Sequence, residues 1–95
     1  MRAYECMFII SPQLDEENTE AVVAKFDKLI TDQGGEVTKT DRMGRRRLAY
    51  EIDGNMEGYY TILYFNAEPG LVAELDRVFL ITEGVIRHLI VRKDG

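Results

Sequence analysis

Three consecutive arginines, Arg45, Arg46 and Arg47, form the densest positive charge in the sequence. Guanidinium groups match phosphate oxygens through paired hydrogen bonds, so a run of this kind could hold a phosphate backbone. The residues that follow, 48–52, alternate between large apolar side chains and Ala49 or Glu51. Alternation with a period of two indicates a strand that has one face on a core. The arginines are therefore predicted to lie on a strand, and contact through charge is expected near them.

The remaining basic residues that could join them lie at the two ends of the chain: Arg2, Arg87, Arg92 and Lys93. Each of these alone could equally be solvated, or paired with acids such as Glu5 and Glu51. Together they favour contact with phosphate. The chain as a whole carries 12 Lys and Arg against 17 Asp and Glu, a formal net charge of -5. This balance argues against a protein that coats nucleic acid through bulk charge, but it allows a local basic patch.

Residues typical of catalysis or metal binding are few. The single histidine, His88, falls on a predicted strand, where a structural role is favoured. The acids at 15–17 begin a helix, and this explains them better than a metal site does. The single cysteine, Cys6, is predicted to be a buried apolar residue without a disulfide. Gly34 and Gly35 end a helix and do not open a phosphate-binding loop. We therefore expect no metal, no cofactor and no enzymatic activity.

The elements predicted from periodicity and from turn residues make one domain, 1–95. They are strand 2–10, helix 15–33, edge strand 36–52 with a kink or bulge at Gly44, turn 53–55 with a loop to Gly58, strand 59–67, helix 70–82 and strand 85–93. The order βαββαβ with right-handed crossovers predicts an α+β, ferredoxin-like sandwich. Its four-stranded antiparallel sheet has the order 4-1-3-2, with both helices on one face. Apolar runs stay well short of the ~20 residues of a membrane span, and residues 1–5 are too polar for a signal peptide.

The second face of this sheet is left uncovered by the chain and is expected to be partly apolar. On strand 59–67, Leu63 and Phe65 are predicted to point inward, which leaves Tyr60, Ile62 and Tyr64 outward. A large exposed apolar patch favours a partner site, although scattered exposed aromatic residues are common. The inward face of strand 85–93 stays open, because both of its faces are apolar. A likeness of 57–64 to a single-strand RNA-binding motif fails at the stacking and basic positions.

The stretch Gly44-Arg45-Arg46-Arg47-Leu48-Ala49-Tyr50-Glu51-Ile52 resembles the signature of the bacterial small-subunit ribosomal protein six family. The opening at 1–5, the start of the strand at 58–60 and the last strand at 85–91 resemble it as well, so the likeness covers essentially the whole chain. The resemblance implies the fold predicted above and no catalytic role. It also implies a cytoplasmic component of the small ribosomal subunit. This protein would pair with ribosomal protein eighteen and bind, with it, the central domain of the small-subunit ribosomal RNA.

Carried over residue by residue, the resemblance places Arg2 and Tyr4 at the RNA-facing end of the first strand. It gives Arg46 and Arg47 contacts to RNA or partner, and lets Leu48 and Tyr50 shape the strand. With the other basic and outward residues, the expected RNA-binding set is Arg2, Tyr4, Arg46, Arg47, Arg87, Arg92 and Lys93. The expected partner-binding set is Arg45, Leu48, Tyr60, Ile62 and Tyr64. Because the chain is acidic, we expect weak RNA binding alone and tight binding with a basic partner.

Three other functions are compatible with the predicted fold. The main alternative is a small-molecule-binding or dimerising regulatory domain, although the sequence shows no convergent polar pocket. A second is a single-strand RNA binder that acts through Tyr60 and Tyr64 on the sheet. A third is a small phosphatase, which would need an arginine beside glycines after the first strand, where 11–14 has neither.

Overall fold

The computed structural model describes residues 1–93 and places six elements in the order βαββαβ. They are β1 (Arg2–Ile10), α1 (Glu16–Asp32), β2 (Glu36–Ile52), β3 (Asn55–Ala67), α2 (Pro69–Ile81) and β4 (Val85–Arg92). The strands form one antiparallel sheet in the order β2-β3-β1-β4. This is the predicted order 4-1-3-2 read from the opposite edge, so the predicted fold is confirmed.

The core lies between one face of the sheet and the two helices. Alternate residues of β1 point into it and are fully or almost fully buried: Tyr4, Cys6, Phe8 and Ile10. Helix α1 contributes Phe26 and α2 contributes Phe79, whose ring centroids lie 3.8 Å apart. Phe8 completes this group at 5.1 Å from Phe79. Leu63 and Phe65 are buried at 0% and 1% exposure, so the inward assignment on β3 is confirmed.

The acidic run at 15–17 begins α1. The Asp15 side chain accepts a hydrogen bond from the backbone N–H of Asn18 at 2.8 Å, which satisfies one of the free donors of the first turn. Glu16 and Glu17 follow in that turn, where negative charge is favourable to the helix dipole. These acids are thus accounted for by the start of the helix.

The β2–β3 hairpin extends further than the sequence indicated. Asp53 and Gly54 both have positive φ, 48° and 79°, and form a two-residue turn between the strands. A tight turn of this kind continues the ladder on both sides, so β3 begins at Asn55. The prediction of a loop from 53 to Gly58 is therefore wrong. The predicted bulge at Gly44 is confirmed, since Gly44 has φ +82° and the register shifts between Arg42 and Gly44.

A second irregularity of β2 was not predicted. From Arg47 to Ile52, β2 advances five residues, while β3 goes back only two, from Glu57 to Asn55. Residues 48–51 have no ladder partners on β3 and form a large irregularity of the strand, which we call the 48–51 bulge. Within it Leu48 is 4% exposed and Tyr50 is 58% exposed. The interpretation of 46–52 as a regular strand with one face on the core is therefore wrong at this point.

Candidate functional site

The sheet face opposite the helices, called here the open face, is built from cross-strand rows fixed by the register. Three of these rows are Lys39–Tyr64–Glu5–Val91, Asp41–Ile62–Met7–Leu89 and Gly44–Tyr60–Ile9–Arg87. Side chains in one row share a face of the sheet, because paired residues point the same way. Tyr60, Ile62 and Tyr64 therefore point outward as predicted, and all three are half-buried.

The open face has an apolar part that is accessible to a partner. Leu89 is 54% exposed and Val91 is 38% exposed, and both belong to its rows. The sequence did not decide which face of β4 packs on the core, and the structure does. Ile90 packs against the core and His88 stacks on Phe79, so the face with these two residues is the inward one. Leu89 and Val91 therefore face outward. The sequence held a signal for this assignment. Arg87 is charged and therefore expected to point outward, and Leu89, two residues later on the strand, shares its face.

The 48–51 bulge lies over one end of the open face and reaches β4. The Tyr50 hydroxyl accepts a hydrogen bond from Arg87, and the Arg87 guanidinium lies 5.9 Å from the centroid of the Tyr50 ring. Between the bulge and the sheet is a cleft of about 230 Å³, whose lining includes Met7, Tyr60 and Leu89. The signature stretch thus shapes one wall of a concave surface.

The three consecutive arginines have different electrostatic environments. Arg45 forms an ion pair with Glu57, with Nη2 2.9 Å from Oε2, and its guanidinium lies 5.9 Å from the Tyr59 ring centroid. Arg46 donates from Nε to the Met43 carbonyl oxygen at 3.2 Å. Arg47 is exposed and makes neither an ion pair nor a hydrogen bond through its side chain within residues 1–93. Two of the three charges are therefore left without a carboxylate in the described part of the chain.

The residues expected to bind RNA do not form one patch. Arg46 is paired with Gly58, whereas Arg92 lies in the row of Tyr4 and Phe65. These two rows are seven positions apart along β3, which corresponds to about 23 Å at 3.3 Å per residue. Arg2 and Lys93 lie at the same end as Arg92, and the Lys93 Nζ is 3.8 Å from Glu5 Oε2. Arg87 lies in the row of Tyr60, closer to the hairpin arginines.

Two expected contact residues are buried by the chain itself. Tyr4 is 7% exposed and stacks on Phe65 with ring centroids 5.5 Å apart, so its ring belongs to the core. Leu48, within the 48–51 bulge, is only 4% exposed. Little of either side chain remains for RNA or a partner, and we remove both from the contact sets. The position of Tyr4 in phase with Cys6 and Phe8 was the signal for its burial.

Arg42 was missed as a structural cation. Its Nε lies 2.9 Å and 3.0 Å from the two carboxylate oxygens of Glu20, which joins the edge strand to α1. This hydrogen bonding raises the pKa of Arg42 above its ordinary value. The sequence alone gave no register between α1 and β2, so the pair was not predictable.

The side chains of His88 and Cys6, which could in principle take part in catalysis or metal binding, are held in contacts within the fold. His88 lies with Nε2 2.6 Å from Asp76 Oδ1, and its ring is 4.8 Å from Phe79. Burial raises the pKa of the Cys6 thiol to about 12, so it stays protonated.

Within residues 1–93 no group of three or more His, Cys, Asp or Glu side chains is placed to hold a metal ion. In the same range no helix is both long and apolar enough to cross a membrane.

A four-stranded sheet with two helices on one face, an apolar and aromatic open face, and arginines at the rim defines a binding protein of the ferredoxin-like class. Comparison with known families makes the assignment specific. The chain belongs to the ribosomal protein S6 family, whose pattern matches residues 3–92. It is therefore a structural, non-enzymatic component of the small ribosomal subunit, and its location is the ribosome in the cytoplasm.

Individual relatives agree along the whole chain. The small ribosomal subunit protein bS6 of Desulforudis audaxviator is 49% identical over 94 residues, covering 99% of this chain and 100% of the relative. That of Moorella thermoacetica is 51% identical over 92 residues, covering 97% and 94%. Among solved structures, 30S ribosomal protein S6 from Thermotoga maritima superposes with a TM-score of 0.93 at 39% identity, covering 97% of this chain and 87% of that one.

Proposed function

We propose that this chain binds the central domain of the small-subunit ribosomal RNA as a heterodimer with ribosomal protein eighteen. The observation that carries the proposal is a contrast of charge. The chain has a net charge of -5, yet Arg46 and Arg47, consecutive on β2, have no carboxylate partner within residues 1–93. Local arginines can position an RNA backbone, but a basic partner must supply most of the phosphate neutralisation.

The proposed RNA surface has two contact points on the same chain. The first consists of Arg46 and Arg47 on the hairpin, and Arg87 lies toward the same end of the sheet on the opposite edge strand. The second consists of Arg2, Arg92 and Lys93 at the opposite end of β1. A separation of about 23 Å along the strands suits a folded RNA that touches both ends of the sheet.

The proposed partner surface is the open face, with Tyr60, Ile62 and Tyr64 at its centre. Aromatic and aliphatic side chains of this kind provide the apolar area on which protein interfaces depend. Arg45 is assigned to the partner surface as well, because its ion pair with Glu57 reduces the charge that it can offer to phosphate. Polar or charged contacts at the rim would then fix the orientation of the two proteins.

The test is an electrophoretic mobility shift on a fragment of central-domain ribosomal RNA. The chain is tested alone and with purified ribosomal protein eighteen, at two salt concentrations. We expect a shift only with the partner, weakened more at high salt, and lost in the Arg46→Ala, Arg47→Ala double variant. Arg42→Ala serves as the matched control, because Arg42 is already bound to Glu20 and its loss should change RNA binding little.

Two outcomes count against the proposal. Tight binding of RNA by the isolated chain at physiological salt would contradict the division of charge between the two proteins. A missing shift with a partner shown to be folded would remove the heterodimer and its RNA site.

A further inference from the structure

One row of the open face ends in a carboxylate. The row Asp41–Ile62–Met7–Leu89 crosses the middle of the sheet, and three of its four side chains are apolar. Asp41 is half-buried on the edge strand β2. Within residues 1–93 its carboxylate makes neither an ion pair nor a hydrogen bond. The β2 edge of the proposed partner surface therefore contains an unpaired negative charge beside an apolar strip.

The neighbouring charges do not neutralise Asp41. Lys39 is two residues earlier on the same face, but its Nζ lies 5.5 Å from the centroid of the Tyr64 ring, in the adjacent row. Glu5, the carboxylate of that row, has Lys93 at 3.8 Å. Among the carboxylates of the three rows described, Asp41 is thus the one that a partner could pair without displacing an existing contact.

We propose that Asp41 binds a lysine or arginine side chain of the partner protein, whose aliphatic stem lies along Ile62 and Met7. Long basic side chains cover apolar surface with their stems and keep the charged group at a polar site. Ile62 is one strand spacing from Asp41, about 4.8 Å, so one side chain can cover the first and reach the second. The inference rests on the proposed function, since the partner is ribosomal protein eighteen.

Charge complementarity selects a protein over RNA at this row. A phosphate group over Ile62 would approach the Asp41 carboxylate and be repelled. A cationic side chain at the same place would instead form an ion pair with Asp41 and replace the water that otherwise solvates the carboxylate. The chain is acidic by five charges, so a basic protein is attracted to it as a whole. RNA contact is then confined to the arginines at the rim of the sheet.

The experiment measures the affinity of ribosomal protein eighteen for the full chain by isothermal titration calorimetry at several salt concentrations. The variant is Asp41→Asn, which removes the charge and keeps the size of the side chain. The control is Glu83→Gln, which makes the same change of net charge at an exposed residue after α2, far from the open face. Thermal unfolding of each variant separates an effect on binding from an effect on stability.

We expect Asp41→Asn to raise Kd by about tenfold or more and to flatten the salt dependence, while Glu83→Gln leaves both unchanged. Equal affinity of Asp41→Asn and wild type would overturn the inference and leave the heterodimer intact. Stronger RNA binding by Asp41→Asn alone, with partner affinity unchanged, would also overturn it, because the row would then face RNA. Failure of the wild-type chain to bind the partner would instead remove the proposed function and, with it, this site.

Discussion

Gly58 lies directly beside the side chain of Ile9. A Cβ placed on Gly58 would be 2.3 Å from Ile9 Cγ2 and 3.3 Å from the carbonyl oxygen of Ile10. Ile9 points to the open face and yet is only 4% exposed. Because Gly58 has no side chain, Ile9 Cγ2 can occupy the space beside it, where the hairpin joins the central strands.

We predict that Gly58→Ala lowers the free energy of unfolding by about 1–3 kcal/mol, because the added methyl overfills a packed site. Urea denaturation followed by circular dichroism measures the change. The clash is with a branch of Ile9 near the backbone, and relief requires movement of β1 or β3. The cost should therefore fall when Gly58→Ala is combined with Ile9→Ala, which removes the clashing branch.

Gly70→Ala is the matched control. Gly70 is within α2, and a Cβ there would meet nothing within 4 Å. We expect this variant to be unchanged or up to about 1 kcal/mol more stable, since alanine has the higher helix propensity. Equal stability of Gly58→Ala and wild type would show that the contact with Ile9 is relieved at no cost, against the prediction.

The buried Cys6 thiol predicts a loss of stability at alkaline pH. Burial raises its pKa from 9.0 to about 12, with a smaller opposing effect from a hydrogen bond to the backbone of Leu63. The folded chain therefore holds this proton where the unfolded chain releases it. The contribution is complete below about pH 9 and is lost as pH rises toward 12, amounting to about 1.4 kcal/mol between pH 8 and pH 10.

The measurement is the free energy of unfolding in urea at pH 8 and pH 10, for wild type and Cys6→Ala. The variant is less stable at both values, because it leaves a cavity, but it should lack the part of the pH slope that belongs to the thiol. All other titratable groups are common to the two proteins, so their effects cancel in the comparison. Identical slopes would contradict the prediction, as would rapid reaction of the native thiol with a disulfide reagent at pH 8.

Much of the fold followed from periodicity, and the failures have physical causes. Alternation along β1 reports which residues face the core. Tyr4 has the same phase as Cys6, which was predicted to be buried, and it is 7% exposed, although the resemblance to the family favoured contact with RNA. The turn at Asp53 was recognised, but the two-residue geometry that extends β3 depends on left-handed backbone at both positions. The 48–51 bulge was missed because apolar side chains two residues apart fit a regular strand equally well.

The charged part of the site was less predictable than the core. Whether an arginine is available depends on the ion pairs that its side chain forms, and neither strand register nor side-chain direction is visible in a single sequence. The ladder places Glu57 across from Arg47, yet its ion pair is the diagonal one with Arg45. Arg45 and Arg47 are chemically equal in the sequence, yet the structure gives Glu57 to the first and leaves the second without a carboxylate within residues 1–93. The unpaired Asp41 was likewise recognisable only after the rows of the open face were known.

His88 joins β4 to α2, and we predict that His88→Ala lowers the free energy of unfolding by about 2 kcal/mol. The change removes the stack on Phe79 and the hydrogen bond to Asp76 together. Asp76→Ala keeps the stack and should cost up to about 1 kcal/mol. Leu89, the next residue of the same strand, is 54% exposed. Leu89→Ala should therefore lower the free energy of unfolding less than His88→Ala does. A smaller loss in His88→Ala than in Leu89→Ala would refute this role.

The pairing of Arg45 with Glu57 predicts that a variant can strengthen RNA binding. Glu57→Gln removes the carboxylate and leaves the Arg45 guanidinium, 5.9 Å from the Tyr59 ring centroid, without its counter-charge. We expect the heterodimer of this variant to bind the central-domain RNA fragment several-fold more tightly at low salt, with a log–log salt slope steeper by about one unit, as for one more phosphate contact. Glu83→Gln changes the net charge equally at a distant site and should give a smaller gain. If both variants bind RNA equally well, bulk charge alone determines affinity, and the ion pair has no part in deciding which arginine reaches the phosphates.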